Sequence, residues 1–248
     1  MLSYKRKRGT ALLFYYIRHG DPIYNPDSLT DLGHEQARAL AKRLAIHGLD
    51  KIYTSTSNRA MLTASYTAEA LGLTPTPLDF ANEGHAWNEM TTDTPDGRRW
   101  LFNHPQNRAL LASREVKALG EQWYLHSAFS KYNFKKGLDR VRHGVNEFML
   151  SLGYRHIDGT GSYEVVAEND DRVALFAHQG FATLFFSCLF DIPYPEYSLH
   201  FDMCTTGMTV VDFRTEGGIA IPTVKTYSND SHIYKEGLQF KQYCTEEY

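Results

Sequence analysis

The sequence predicts an α/β fold, a three-layer α/β/α sandwich with a mostly parallel central sheet and a helical cap insertion. Two apolar runs, at residues 11–17 and 172–177, lack polar alternation, which is typical of strands that are buried on both faces. Up to residue 80 the predicted elements follow in the order strand, helix, strand, helix, strand, which favours right-handed βαβ units. We therefore expect the first run to lie at the centre of a parallel sheet that resumes at the second.

Capping and turn residues set the predicted elements in the first part of the chain. Thr30 can cap a first helix whose apolar positions keep helical spacing until Gly48. A short strand is expected at residues 51–54, a second helix at 58–71 and a third strand at 76–80. These elements place the helices between successive strands of the sheet.

The pattern changes between residues 82 and 162, where two long helical stretches are expected at 105–126 and 135–152. We interpret this segment as a cap inserted into a single domain that covers residues 1–248. The remaining predicted elements complete the sheet and its helical layers: a strand at 172–177, a helix at 181–190, and strands near 208–213 and 219–226.

Composition excludes several classes of function. The 248 residues are 42% hydrophobic and 22% charged, with a net charge of −3, which is ordinary for a globular protein and argues against nucleic acid as a partner. The basic run at residues 5–8 is interpreted as a solvated lead-in, and the apolar run after it is too short for a membrane span. Cys188, Cys204 and Cys244 match neither a disulfide framework nor a zinc site, so we expect reduced thiols and a cytoplasmic location.

Two histidines follow the two apolar strands and are the candidate reactive groups. The carboxyl ends of parallel strands meet at one edge of a sheet, so His19 and His178 are expected to lie together. With Arg18 and Arg59 they would form a cationic pocket suited to a phosphoryl dianion, and a neutral imidazole nitrogen can attack phosphorus. Gly20 would allow backbone N–H groups to approach the phosphate closely.

A set of short motifs in fixed order runs through most of the chain. The set consists of Arg18-His19-Gly20, Leu29-Thr30, Gly33, Gln36-Ala37, residues 52–55, Arg59-Ala60, Thr63-Ala64, Glu83, Trp87, Glu89, Ala177-His178, Asn229-Asp230 and His232. In this order and at these separations the motifs resemble the histidine phosphatase superfamily, in its phosphoglycerate mutase-like branch. A bare Arg-His-Gly tripeptide would be a weak signal, whereas the ordered set is specific.

The resemblance implies roles for the matching residues. His19 would be the nucleophile that forms a phosphohistidine, while Arg18, Arg59 and His178 would hold the phosphoryl group. A carboxylic acid would protonate the leaving oxygen and then help water to attack; Glu83 is favoured for this role, with Glu89 as the alternative. No cofactor and no metal are expected, because cationic side chains neutralise the phosphate.

Two further positions are expected to contact the phosphate. Asn25 resembles a polar residue that reaches the phosphate from the loop after the first motif, although a plain turn role next to Pro26 is nearly as good an interpretation. Gln179 stands where the family usually has glycine. Its backbone N–H can still bind phosphate, while its side chain would crowd or reshape the pocket.

These features favour an acid-type histidine phosphatase that hydrolyses a small phosphorylated metabolite, a phosphomonoester, through a phosphohistidine. Two alternatives stay open: a phosphoglycerate-type phosphomutase, and a catalytically silent domain that binds a phospholigand. The short span between Arg18 and Leu29 lacks the longer aromatic-rich loop that the resemblance would require of a mutase, which favours the phosphatase. The substrate and the oligomeric state are left open, and substrate selectivity is expected to reside in the cap.

Overall fold

The computed structural model describes residues 11–238, so the basic run at 5–8 and Cys244 lie outside the described residues. The strands are β1 (Leu13–Arg18), β2 (Pro22–Tyr24), β3 (Asp27–Leu29), β4 (Lys51–Ser55), β5 (Thr76–Leu78), β6 (Thr91–Thr94), β7 (Gly97–Trp100), β8 (Tyr154–Ile157), β9 (Ser162–Val165), β10 (Arg172–Ala177), β11 (Met208–Asp212), β12 (Thr215–Glu216), β13 (Ile219–Ala220) and β14 (Thr223–Asn229). The α-helices are α1 (Asp31–His47), α2 (Asn58–Leu71), α3 (Glu83–Glu89), α4 (Pro105–Leu111), α5 (Arg114–Lys117), α6 (Phe134–Ser151), α7 (Gln179–Phe190), α8 (Tyr194–Ser198) and α9 (Ser231–Lys235). Within residues 11–238, no helix combines the length and apolar character needed to cross a bilayer.

The central sheet contains six strands in the order β14, β11, β1, β10, β4, β5. β1 runs parallel to β10, β10 to β4, and β4 to β5, while β11 is antiparallel to both of its neighbours. The mostly parallel sheet is therefore confirmed, with the first apolar run next to the second at its centre.

Side chains of β1 are buried alternately on the two faces of this sheet, which explains why the run has no polar positions. Phe14 and Tyr16 join the larger core, which includes residues of α6 and α7, whereas Tyr15 and Ile17 join a second core with residues of α1 and α2. Helices thus cover both faces, and the three-layer α/β/α prediction is confirmed.

The predicted ends of the first two helices are also correct. The Thr30 hydroxyl accepts the backbone N–H of Gly33 at 3.0 Å, so it caps α1 as expected. Gly48 and Gly72 follow α1 and α2, and both have a positive φ, a conformation that glycine adopts without strain.

The predicted helix at 105–126 is wrong, because the chain there forms α4, α5 and a 3₁₀ segment at Gly120–Leu125. The Ser113 side chain accepts the N–H of Val116 and starts a new helix, and Gly120 has a φ of +54° that interrupts the helical path. The second predicted helix, at 135–152, is confirmed by α6.

The segment predicted to be a helical cap also contains strands that sequence patterning missed, β6 paired with β7 and β8 paired with β9. The strand predicted at 219–226 is broken at Pro222, so that β13 pairs with β9 and β14 pairs with β11. The strand predicted at 76–80 ends at Leu78. The division into a single domain with a cap at 82–162 stays a prediction.

Candidate active site

The carboxyl ends of β1 and β10 bring the two predicted histidines together. Arg18 is the parallel partner of Ala177, so His19 and His178 leave the sheet side by side. The His19 N–H donates to the Ala177 carbonyl at 3.0 Å, and the centroids of the two imidazole rings are 5.1 Å apart. Both side chains are buried.

Hydrogen bonding determines which nitrogen of His19 carries its proton. Nδ1 lies 2.7 Å from the Gly20 carbonyl oxygen, and a carbonyl can only accept, so Nδ1 is protonated and Nε2 keeps a lone pair. Burial lowers the pKa of His19 well below its ordinary value, and the neighbouring His178, Arg18 and Arg59 lower it further. His19 is therefore a neutral imidazole with a nucleophilic nitrogen, and it lines the main cavity.

Gly20 has a different role from the one expected from the sequence. Its N–H donates to the Thr63 hydroxyl at 3.0 Å rather than facing the cavity. A Cβ at this position would lie 2.6 Å from the Gly33 carbonyl oxygen in the first turn of α1. The glycine is required because the strand end and the helix approach each other closely.

His178 is held by two hydroxyl groups, one on the last residue of β4 and one on the residue that precedes α2. Its Nε2 lies 2.8 Å from Ser55 Oγ and 3.1 Å from Ser57 Oγ. Burial, followed by the charges of Arg59 and Arg18, lowers the pKa of His178 well below its ordinary value. Sequence reasoning gave the two serines no role, although the neighbouring positions of β4 and β10 would have placed them near His178.

Arg59 and Glu83 meet at the start of two helices. Arg59 in α2 donates through its two terminal nitrogens to Asp27 at 2.7 Å and to Glu83 at 2.8 Å. Glu83 begins α3 directly after Asn82, whose side chain accepts the Gly84 N–H and caps the helix. Asp27 is a site residue that sequence reasoning missed.

The Glu83 carboxylate lies close to both histidines. Oε1 accepts the backbone N–H of Gly180 at 2.9 Å, in the first turn of α7. Oε2 lies 3.5 Å from His178 Nδ1, a buried nitrogen with no hydrogen-bond partner among residues 11–238. Glu83 therefore lies among the same groups that were predicted to hold a phosphate.

The alternative acid, Glu89, is directed away from these groups. It lies at the other end of α3 and forms an ion pair with Arg140 of α6 at 2.8 Å. It lines a separate polar groove rather than the main cavity. The structure thus brings Glu83, and not Glu89, next to His19 and His178.

Arg18 and Gln179 are linked through the loop at residues 201–203. The Arg18 guanidinium donates to the Met203 carbonyl, and the Gln179 side-chain oxygen accepts the Met203 N–H at 3.0 Å. The Gln179 amide also donates to Phe201 at 3.4 Å. The Gln179 side chain thus lines the main cavity while it holds this loop, and the expectation that it crowds or reshapes the phosphate pocket stays a prediction.

Asn25 is not placed with the other predicted site residues. It lies with Pro26 in the turn between β2 and β3, is exposed, and is absent from the lining of the main cavity. In this arrangement a turn role suits Asn25 better than a phosphate contact.

His232, in the last of the sequence motifs, is linked to the backbone of His19 through Thr206. His232 Nε2 lies 2.9 Å from the Thr206 hydroxyl, and the Thr206 N–H donates to the His19 carbonyl at 3.1 Å. Burial, with the charge of Arg43, lowers the pKa of His232 to about 4. This residue is therefore a neutral structural histidine that acts through Thr206.

His19, Glu83 and His178 also form a set of groups that could hold a divalent metal ion. One ligand-type atom from each residue lies within 4.8 Å of the other two. Two imidazoles and one carboxylate are a donor set that suits zinc and related transition metals.

The cavity above these residues has a volume of about 830 Å³. This volume lies in the upper part of the range for small-molecule sites. Cationic, acidic and aromatic groups share the lining, among them Arg18, His19, Arg59, Glu83, Trp87 and Trp100.

We compared the chain with protein families, curated proteins and solved structures. The model of the histidine phosphatase superfamily (branch 1) matches residues 14–123, which include His19, Arg59 and Glu83. Among curated proteins, none gives a significant match.

Several solved structures share the fold at low sequence identity. Phosphoserine phosphatase from Entamoeba histolytica is 16% identical with a TM-score of 0.58, and the alignment covers 90% of this chain and 99% of that one. A mycobacterial glucosyl-3-phosphoglycerate phosphatase is 18% identical with a TM-score of 0.55, covering 88% and 99%. A putative alpha-ribazole-5'-P phosphatase from Escherichia coli is 17% identical with a TM-score of 0.57, covering 89% and 97%.

The central sheet flanked by helices is shared with these solved phosphatase structures. Over residues 14–123 the chain matches the histidine phosphatase superfamily, branch 1. The acid-type assignment predicted from the sequence is wrong, because it names a subfamily other than the branch whose model matches residues 14–123.

Proposed function

We propose that the protein is a phosphomonoester hydrolase that acts through a phosphohistidine at His19. The observation that carries this proposal is the neutral His19 ring, whose Nδ1–H is held by Gly20. The ring lies beside that of His178 and lines the main cavity together with Arg18, Arg59 and Glu83. The substrate is a small phosphorylated metabolite. A cytosolic location stays a prediction that rests on the cysteine pattern.

In the first step the phosphoryl group binds and replaces the contact between Arg59 and Glu83. Its oxygens take donors from Arg18 and His178, and from Arg59, which binds Glu83 in the free protein. The Glu83 carboxyl group, released from Arg59, then faces the leaving oxygen. The charge that develops on the phosphoryl oxygens is neutralised by the two guanidinium groups.

Transfer then proceeds by in-line attack. The Nε2 lone pair of His19 forms the N–P bond while the ester P–O bond breaks, and Glu83 gives its proton to the leaving alkoxide. The positive charge gained by the imidazole is stabilised through Nδ1–H and the Gly20 carbonyl. In the second half, Glu83 takes a proton from water as hydroxide bonds to phosphorus, the N–P bond breaks, and inorganic phosphate leaves.

The direct test is to trap the intermediate. The full chain is mixed with labelled substrate, quenched and digested, and the label should be acid-labile, base-stable and confined to the peptide that contains His19. His143→Ala is the matched control, because His143 is exposed on α6 and should leave the labelling unchanged.

Other outcomes identify the alternatives. Label on a serine, or turnover that persists in His19→Ala, would contradict the proposal. Retention of labelled phosphate in an isomer of the substrate would indicate a phosphomutase, and binding without phosphate release would indicate a silent phospholigand-binding domain.

A further inference from the structure

The part of the main cavity beyond the phosphate-binding residues is bordered by three aromatic side chains, which we name the aromatic wall: Trp87 of α3, Trp100 of β7 and Phe102. The Trp87 and Trp100 rings meet edge to face with centroids 5.1 Å apart, and Trp100 stacks on Phe102 at 5.6 Å. Each ring restricts the others, so the wall presents a preformed apolar surface.

Trp100 lies directly beside the proposed proton donor. A Cβ built on Gly180 would lie 2.4 Å from Trp100 Cζ2 and 2.9 Å from Glu83 Oε1, so the indole edge and the carboxylate meet over the same backbone atom. Because Glu83 must reach the leaving oxygen, the group attached to that oxygen has to lie close to Trp100.

The charges around the rest of the cavity nearly cancel. Arg99, which is half-buried, and Asp202, which is exposed, both line it, and Asp27 is paired with Arg59. The volume of about 830 Å³ also exceeds what a phosphoryl group alone requires. Shape and ring faces, rather than a second charge, are therefore the features that select a leaving group here.

We propose that the preferred substrates are phosphomonoesters whose leaving group carries a planar aromatic ring packed against Trp100. This inference rests on the proposed hydrolase function and names its substrate class. Aromatic pairs are worth more than their buried area alone, which corresponds to a preference of about 2- to 10-fold over a saturated ring of the same size.

The test compares benzyl phosphate with cyclohexylmethyl phosphate. Both release a primary alcohol, so their intrinsic reactivity is similar and the ring is the difference. The ratio of kcat/KM, measured from phosphate release, should favour the benzyl ester by about 2- to 10-fold in the wild type and fall close to one in Trp100→Leu. Trp100→Phe should keep part of the preference, and Tyr234→Leu, at an exposed position, should keep all of it.

A ratio near one in the wild type, with both esters hydrolysed, would overturn the ring proposal and leave the hydrolase proposal intact. Failure of the hydrolase proposal is distinguishable: neither ester releases phosphate, and nitrophenyl phosphate leaves no adduct on His19. If circular dichroism shows that Trp100→Leu is unfolded, inhibition of the wild type by benzyl alcohol and by cyclohexylmethanol replaces it. Tighter inhibition by benzyl alcohol supports the proposal, and equal inhibition overturns it.

Discussion

The two regions that form the main cavity are built differently. The phosphate site (Arg18, His19, Arg59, Glu83 and His178) lies at strand ends and helix starts, and its histidines are 1% and 0% exposed. The aromatic wall lies on the short helix α3, on the β6–β7 hairpin and just after it, and consists of apolar rings. We therefore expect the rings of the aromatic wall to vary without disturbing His19 and His178, whereas Glu83 lies on the same helix, α3, as Trp87.

The largest expected effect separates the two regions directly. His19→Ala removes the nucleophile, so kcat should fall by about 10⁴-fold or more, while Trp100→Leu should cost about 10-fold or less. Steady-state phosphate release from nitrophenyl phosphate measures both. Comparable losses in the two variants would show that the wall takes part in the chemistry.

The second largest effect is expected at Glu83, which belongs to the phosphate site and lies on α3, the helix that carries Trp87 of the aromatic wall. Glu83→Gln should slow hydrolysis of an alkyl phosphate by about 10²-fold, because the alkoxide needs a proton, and should slow nitrophenyl phosphate much less. Glu89→Gln is the matched control, since its ion pair with Arg140 lies outside the main cavity and should affect stability rather than dependence on the leaving group. A selective loss in Glu89→Gln would move the acid role there.

A third prediction tests the support beneath the phosphate site. The pKa of His232 is about 4 in the folded protein, and that of an unfolded histidine is about 6.5. Between these values the unfolded chain binds the proton, so stability should fall as pH drops, by up to about 1.4 kcal/mol per pH unit from this group.

Urea unfolding at pH 7 and pH 5 should therefore show a larger loss for the wild type than for His232→Gln. His19 and His178 titrate in both proteins, so the difference between the two isolates His232. An equal loss in the variant would mean that this side chain is not buried as a neutral imidazole.

The smallest expected effect is that of chelation. Treatment with EDTA followed by gel filtration should change the rate by less than about twofold, because the guanidinium groups of Arg18 and Arg59 supply the positive charge. Added Zn²⁺ should instead inhibit reversibly, since His19, Glu83 and His178 offer ligand atoms within 4.8 Å. Loss of activity that only a divalent metal restores would overturn the phosphate site as described.

How far the sequence predicted the molecule depends on how local each signal is. Thr30 and Gly72 mark helix ends through their own backbone and side-chain chemistry, and these ends were predicted correctly. The meeting of His19 and His178 followed from the rule for parallel strands. The predicted 105–126 helix is broken where Ser113 caps a new helix and Gly120 has a positive φ, and helical periodicity alone did not register these two local signals.

Other misses depend on contacts between residues far apart in the chain. Asp27 joins Arg59 across 32 positions, and Ser55 meets His178 across 123 positions, so local patterning could not assign them. The packing of Gly20 against Gly33 was missed for the same reason. The sequence shows the two glycines but not the close approach of β1 and α1.

The double ion pair of Arg59 has a consequence for the free protein. With Asp27 and Glu83 bound to its two terminal nitrogens, this arginine already holds two resident anions. An incoming anion must therefore displace a carboxylate from Arg59 rather than fill a vacant cationic pocket. In the proposed reaction, a phosphoryl dianion that displaces Glu83 from Arg59 also releases the group that the reaction next requires.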